Sequence, residues 1–590
     1  MKQFIITMAG VFAGLMIFLI GVPFVLVGMA AGAARAPAVP NHAVLELDLR
    51  EPITDQDPAN PLAGLGRRSL SVMSVIETLR RAEGDDRVKA LFVRLPEAGV
   101  EPGSADELRL ALKHFRAAGK KVIVHSQGLY PAGMIASTYM LGAAADELWM
   151  QPGASMQVTG LASEDIFLKR LFDKYGVKAD FEQRREYKNA VNPYLYSDYT
   201  PAHREASLSW MTAVYTHSLE AAASDRKKDP AAMRAALEAG PYLAEKAQSL
   251  GLIDRVGQVK EAEDAALALA GKNSATMDFS DYARQKRDRD DHADATIAVV
   301  EAEGPIVTGH DGSANPFSGS STIYSDNVSD AIYKAIKDKD VRAIVFRLNS
   351  PGGSDTASEQ ILAAVRAAKA AKKPVVVSMG TYGASGGYWI SSEASAIVAE
   401  PTTLTGSIGV FGGKFAMGPA LARFGVDIRQ IGVGSSYAGA YGMGQEFTPQ
   451  QRAAFSGWMD QIYANFTARV AAGRNLPLAR VQEIARGRVW TGAQAHDLGL
   501  VDEVGGFYQA VDKAKALASL KGEVKLKRMG AGSPIEALQN LLGVSGTSVR
   551  TLAAAAWVLG DPRAQSILDE MVATRLRSQG ASVLAPTPLQ

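Results

Sequence analysis

Ser385 stands in "TYGASGGYWI" (381–390), among small residues and three glycines, with no histidine in the stretch. A serine hydroxyl is a weak nucleophile until a neighbouring base takes its proton, and a neutral lysine can be that base. Burial lowers a lysine's pKa by disfavouring its charged form, whereas arginine stays charged. Lys188, in "REYKNAV", is the candidate base. Acyl transfer also needs backbone N–H groups for an oxyanion, and glycine lets backbone approach a substrate closely. Gly352 in "NSPGGS" and Gly386 in "ASGG" are the candidate donors.

An internal repeat connects these scattered residues. "DDRVKALFVRL" (85–95) returns as "DKDVRAIVFRL" (338–348), and "SLGLIDRVG" (249–257) returns as "DLGLVDEVG" (497–505). "YTPAHREASLSW" ending at Trp210 matches "FTPQQRAAFSGW" ending at Trp458. In a duplicated chain, shared residues mostly report the fold, and residues held by one copy are candidates for chemistry. Aligning Tyr139 with Tyr388 sets Ala136 opposite Ser385, and Gly352–Gly353 fall opposite Gly99–Val100. "GVKADFEQRREYKNAVNPY" (176–194) aligns without gaps to 425–443 and sets Lys188 opposite Tyr437. Each feature alone has a plain reading, a glycine-rich turn or a solvated lysine. A serine kept by one copy and a lysine kept by the other favour a shared site.

The elements that must position them follow from patterning. In the second copy "TIAVVEAEG", "AIVFRL", "PVVVSM" and "AIVAEP" read as strands, with "VSDAIYKAIKD" and "ASEQILAAVRAAKAAK" as amphipathic helices between them. Apolar runs alternating with helices of this length predict parallel βαβ units, hence an α/β fold present twice. The copies span residues 42–270 and 295–520, joined by a polar linker at 271–294. Residues 521–590 form a C-terminal extension, partly helical from "SPIEALQNLLGV" and "VRTLAAAAWVLG", with no assigned role. Residues 1–35 read as a transmembrane anchor, because no charge interrupts the stretch between Lys2 and Arg35. A cleaved signal peptide is the rival, since "AAGAARA" offers small residues at its end. The 63 basic and 62 acidic residues give no electrostatic reason to expect nucleic acid. The absence of cysteine excludes thiol nucleophiles and disulfides.

The motifs "NSPGGS", "YGASGGYWI", "PTTLTGSIGVFGG" and "YKNAVNPY" resemble those of signal peptide peptidase A in its large duplicated form, the protease IV type, over about residues 42–520 and the anchor. The resemblance implies a serine peptidase with a Ser–Lys dyad, anchored by one helix in the bacterial cytoplasmic membrane, with its catalytic part outside the cytoplasm. It implies a fold related to the Clp protease and the crotonases, a homotetramer, peptide substrates left after signal-peptide cleavage, and neither cofactor nor metal. Matched by motif, Ser385 is the nucleophile, Lys188 the general base, Ser407 in "TGSIG" the residue that orients the lysine, and Gly352 and Gly386 the oxyanion donors. Three alternatives remain at this level. Residues 383–387 formally satisfy G-x-S-x-G, which would call on His496 as base. A crotonase-like acyl-CoA enzyme would also use glycine amides, and an inactive membrane scaffold would keep the fold alone.

Overall fold

A computed structural model describes residues 37–57, 70–285, 295–310 and 321–530, with the backbone of Val583–Leu584. The anchor and the two helices expected beyond residue 530 lie outside the described residues. Among the described residues no helix is long and apolar enough to cross a membrane.

Apolar runs at the sheet centres, covered on both faces, and more polar segments at the sheet edges together make the strands. In the first copy these are β1 (Ala43–Asp48), β2 (Val88–Arg94), β3 (Lys121–Ser126), β4 (Glu147–Met150), β5 (Arg255–Val256) and β6 (Ala275–Asp278). They form one parallel sheet in the order β5-β4-β3-β2-β1-β6. The second copy supplies β7 (Ala295–Glu303), β8 (Val341–Ser350), β9 (Val375–Ala384), β10 (Ala396–Ala399), β11 (Leu404–Gly406), β12 (Val489–Thr491), β13 (Glu503–Val504) and β14 (Val524–Met529). Their parallel run β13-β10-β9-β8-β7-β14 repeats the first sheet strand for strand. The difference is one of length. β9 continues past its core pairing, and its last residues Tyr382–Ala384 pair with β11, which β12 then borders antiparallel.

The helices predicted between strands form over Ser325–Lys337 and Asp355–Ala370. Ser354 caps the second, its hydroxyl accepting from the Ala357 N–H at 3.3 Å.

Two boundaries move. Residues 271–294 do not act wholly as a linker: β6 lies within them as an edge strand of the first sheet, followed by a short helix that buries Phe279 and Tyr282. The second copy likewise extends into the stretch read as an extension, because β14 closes its sheet against β7. Charged residues hid both, since an edge strand can face water and still pair.

The copies are locked through a buried cation. Arg347 on β8 is almost fully buried, donating from Nε (3.0 Å) and Nη2 (2.5 Å) to Asp55 and from Nη1 to Glu107 Oε2 at 2.9 Å. Both acids belong to the first copy. Removing one partner of a buried ion pair costs about 3–5 kcal/mol, because the other charge is left uncompensated. The lock fixes one sheet against the other, and any site made from both copies depends on that fixed relation.

Candidate active site

Two arms carry the first copy's lysine to the second copy's serine. Lys178–Gln183 pairs antiparallel with Phe411–Ala416, from Gln183 opposite Phe411 to Lys178 opposite Ala416. Phe415 packs edge-on against Phe181 and Tyr194 with ring centroids 4.9 and 5.3 Å apart, a geometry aromatic pairs favour. Buried Asp180 accepts from the Phe447 N–H at 2.6 Å. The ladder continues as the Arg184 N–H donates to the Val410 carbonyl at 2.7 Å, and the chain then turns into Lys188.

Ser385 sits where β9 ends and the helix Gly386–Ser391 begins. Its φ of 55° and ψ of −117° are a conformation that costs a non-glycine residue about 1–3 kcal/mol. Its N–H donates to the Gly406 carbonyl at 2.8 Å, which holds the turn. The first helical residues admit no side chain: a Cβ on Gly386 would lie 2.8 Å from Ser358 Oγ and 2.9 Å from the Gly353 nitrogen.

Lys188 Nζ lies 2.7 Å from Ser385 Oγ, 2.9 Å from Ser407 Oγ and 3.0 Å from the Ser407 carbonyl. All three side chains are fully buried. Burial holds the Lys188 amine well below the ordinary lysine pKa of 10.5. A neutral amine has two N–H donors and one lone pair, so the three neighbours can be assigned. The Ser407 carbonyl takes one N–H. Ser407 Oγ takes the other, its own hydrogen directed at the Gly487 carbonyl at 3.5 Å. The lone pair is left for the Ser385 hydroxyl, which is the arrangement a general base needs.

Residues 114–273 and 367–521 match peptidase family S49, one segment in each copy. The chain belongs to peptidase family S49. Protease 4 of Salmonella typhi is 33% identical over 502 residues, covering 81% of this chain and 78% of that one. Protease 4 of Haemophilus influenzae is 31% identical over 550 residues, covering 88% and 85%. The chloroplastic serine protease SPPA of Arabidopsis thaliana is 27% identical over 543 residues, covering 90% and 76%. The S49 chain is thus a serine peptidase, a hydrolase of the signal peptide peptidase A, protease IV type.

Of the two glycines singled out for an oxyanion, Gly386 opens a helix, so its N–H has no intrahelical acceptor. The Gly352 N–H donates to Ser350 Oγ at 3.2 Å, within its own turn. His496 is exposed, and its ring faces Asp497.

One residue of the S49 site escaped sequence reading. Gly487 has φ of +80°, and a Cβ there would lie 2.7 Å from both the Lys188 nitrogen and its Cβ. Its N–H donates to the Ile408 carbonyl at 2.9 Å, and the next residue's carbonyl accepts from the Ser407 N–H at 2.7 Å. Glycine is needed here to let the lysine's backbone come close. The signal was present: "ARGRVW" sets Gly487 opposite Ala239 of the first copy.

Proposed function

We propose that this S49 peptidase is a membrane-anchored endopeptidase that degrades cleaved signal peptides and other short apolar peptides through a Ser385–Lys188 dyad. The observation that carries the reading is the 2.7 Å separation of Lys188 Nζ and Ser385 Oγ in a fully buried setting. Lys188 takes the Ser385 proton as Oγ attacks the scissile carbonyl. The oxyanion accepts from the Gly386 N–H and from that of Gly352, which exchanges Ser350 Oγ for the substrate. Lys188 returns the proton to the leaving amine, giving an acyl-enzyme and a free amino terminus. Water then gives a proton to Lys188 and attacks the ester, and Ser385 recovers its hydrogen as the acid leaves. Ser407 positions the lysine through both of its oxygens. The apolar stretch before Arg35 supplies the anchor, and residues 42–283 and 295–529 the two halves of a Clp- and crotonase-like fold.

A serine-reactive β-lactone tests the reading. The expected result is one adduct per chain, mapped to Ser385 by peptide mass, and no adduct in Lys188→Met. Absence of an adduct on the wild-type protein would favour the inactive scaffold, and an adduct on another residue would move the site.

The repeat also supports a homotetramer. The intrachain arm pair has a first-copy strand, 178–183, and a second-copy strand, 411–416. Their counterparts at the 249 offset, 427–432 and 162–167, form no strand in this chain. Those counterparts expose Ile431 and Ile166 by 97% and 67%, with Val433 at 94% beside the first. Unsatisfied apolar arms of this kind suit the same pairing made between chains, head to tail, which gives a ring where the rotation closes. Light scattering on Ile431→Asp is expected to give a smaller species than wild type. An unchanged mass would remove the arms from the interface.

A further inference from the structure

Where β8 and β9 run out toward Ser385, their ladder breaks. Arg347 and Leu348 pair with Ser378 and Met379, and the next pair is Ser350 with Gly383. Gly380, Thr381 and Tyr382 of β9 thus stand opposite Asn349 alone. The first copy has no such break: its ladder runs evenly from Ala90 opposite Lys121 to Arg94 opposite His125. At the 253 offset of that strand, Pro96 stands where the second copy has Asn349. Asn349 therefore joins Ser385 and the Gly352–Gly353 pair among the residues that the second copy has and the first lacks.

A bulge bends its strand and re-aims the side chains beyond it. Side chains hold this one from both neighbouring strands. The Tyr382 N–H donates to Asn349 Oδ1 at 2.9 Å, a side-chain oxygen in place of a ladder carbonyl. Asn349 Nδ2 donates to Glu303 Oε1 at 3.2 Å, and the Asp55 and Gln56 N–H groups fix that carboxylate at 3.0 and 3.1 Å. On the β11 side, Thr403 Oγ1 donates to the Gly380 carbonyl at 2.8 Å. A Cβ on Gly380 would lie 2.7 Å from Asp55 Oδ1 and 3.3 Å from Asn349 Cβ, so the bulge sits close against both. The tie leads directly to the chemistry at each end. Ser385 and Gly386 follow Tyr382 by three and four residues, and Gly352 follows Asn349 by three.

We propose that Asn349 is a positioning residue for acyl transfer, its amide holding the β9 bulge so that the Gly386 and Gly352 N–H groups converge on one oxyanion. The proposal rests on reading Ser385 and Lys188 as the dyad. Asn349 sets the spacing between the strand end that carries the nucleophile and the turn that carries the second donor. The hydrogen bonds of Lys188 go to Ser385 and Ser407 and do not involve Asn349. Loss of the amide should accordingly fall on kcat and leave the protonation of the base alone. Misplacement by about 1 Å costs on the order of 10²-fold, and outright loss of an oxyanion donor about 10²- to 10³-fold.

Peptide hydrolysis by Asn349→Ala, with competent sites counted by the end point of β-lactone labelling, separates positioning from folding. The expected result is full labelling, a kcat per labelled site lower by about 10- to 100-fold, KM little changed and the acid limb of the pH profile unmoved. A labelled fraction that falls while kcat per labelled site holds would make Asn349 structural and overturn the proposal. A limb that moves would place the effect at the lysine and overturn it too. Pairing Asn349→Asp with Glu303→Gln exchanges donor and acceptor between the two side chains and keeps an oxygen for the Tyr382 N–H. This double variant should recover most of the kcat that Asn349→Ala loses. A double variant as slow as Asn349→Ala would show that the oxygen offered to Tyr382 is not what matters, and would overturn the proposal. Failure of the dyad reading would appear separately, as near wild-type turnover in Ser385→Ala and no β-lactone adduct on Ser385 of the wild-type protein.

Discussion

Ser385→Ala and Lys188→Met are each expected to lower kcat for peptide hydrolysis by about 10⁴- to 10⁶-fold, the scale on which nucleophile and base removal act in serine hydrolases. That corresponds to about 5–8 kcal/mol of lost transition-state stabilisation. The double variant should be no worse than the worse single one, because nucleophile and base act as a unit. A turnover within tenfold of wild type for either single variant would sink the dyad.

Stability separates this loss from unfolding. In the folded protein burial makes Lys188 give up its proton well below the ordinary value of 10.5, whereas the unfolded chain keeps it up to that value. At neutral pH the fold therefore bears the cost of a desolvated amine. Methionine keeps the stem and removes that cost, so Lys188→Met should unfold at the same temperature as wild type or higher. A site that loses its activity while its host keeps or gains stability is one held for chemistry. A large fall in Tm would instead make Lys188 a structural residue.

Comparison of the two copies exposed most of the chemistry, because it asks which residues one half can do without. It placed Ser385 and Lys188 in one site before any contact between them could be known. It could also have found Gly487 against Ala239, but a glycine beside an arginine in a turn draws no attention until its φ is known. The Arg347–Asp55–Glu107 lock was invisible for a different reason. Charged residues are normally read as solvated, and their partners here lie 240 and 292 positions away. The sheets were legible from their apolar runs, and their shared strand order follows from the repeat. The edge strands β6 and β14 were not, since exposure on one side lets charge replace the apolar pattern. The pairing of the arms depends on contacts between copies, which periodicity within one segment does not encode.

The same amine sets the pH dependence. Protonated Lys188 cannot take the Ser385 proton, so kcat/KM should rise tenfold per pH unit on the acid side and level off once the free enzyme's lysine is neutral. Burial lowers that pKa, so the plateau must begin well below 10.5. The curve should have a single limb, because Lys188 itself supplies the proton to the leaving amine and no second acid has to stay protonated. Lys188→Arg should remain inactive even on the alkaline plateau, since a guanidinium keeps its charge there. Ser407→Ala gives the sharper test of the assignment. Ser407 Oγ accepts from Nζ at 2.9 Å and so favours the ammonium. Without it the limb should move to lower pH while the plateau falls, because the lysine is both harder to protonate and less well aimed. Stability runs with the same sign. Between the folded and unfolded pKa of Lys188 the unfolded chain binds more protons, so stability rises with pH across that window and stops rising near 10.5. Subtracting the Tm–pH curve of Lys188→Met from that of wild type isolates this contribution. A stability rise that begins at the pH where the activity limb levels off would tie both to one amine, and an activity limb still rising tenfold per pH unit up to 10.5 would count against a lysine base whose pKa burial has lowered.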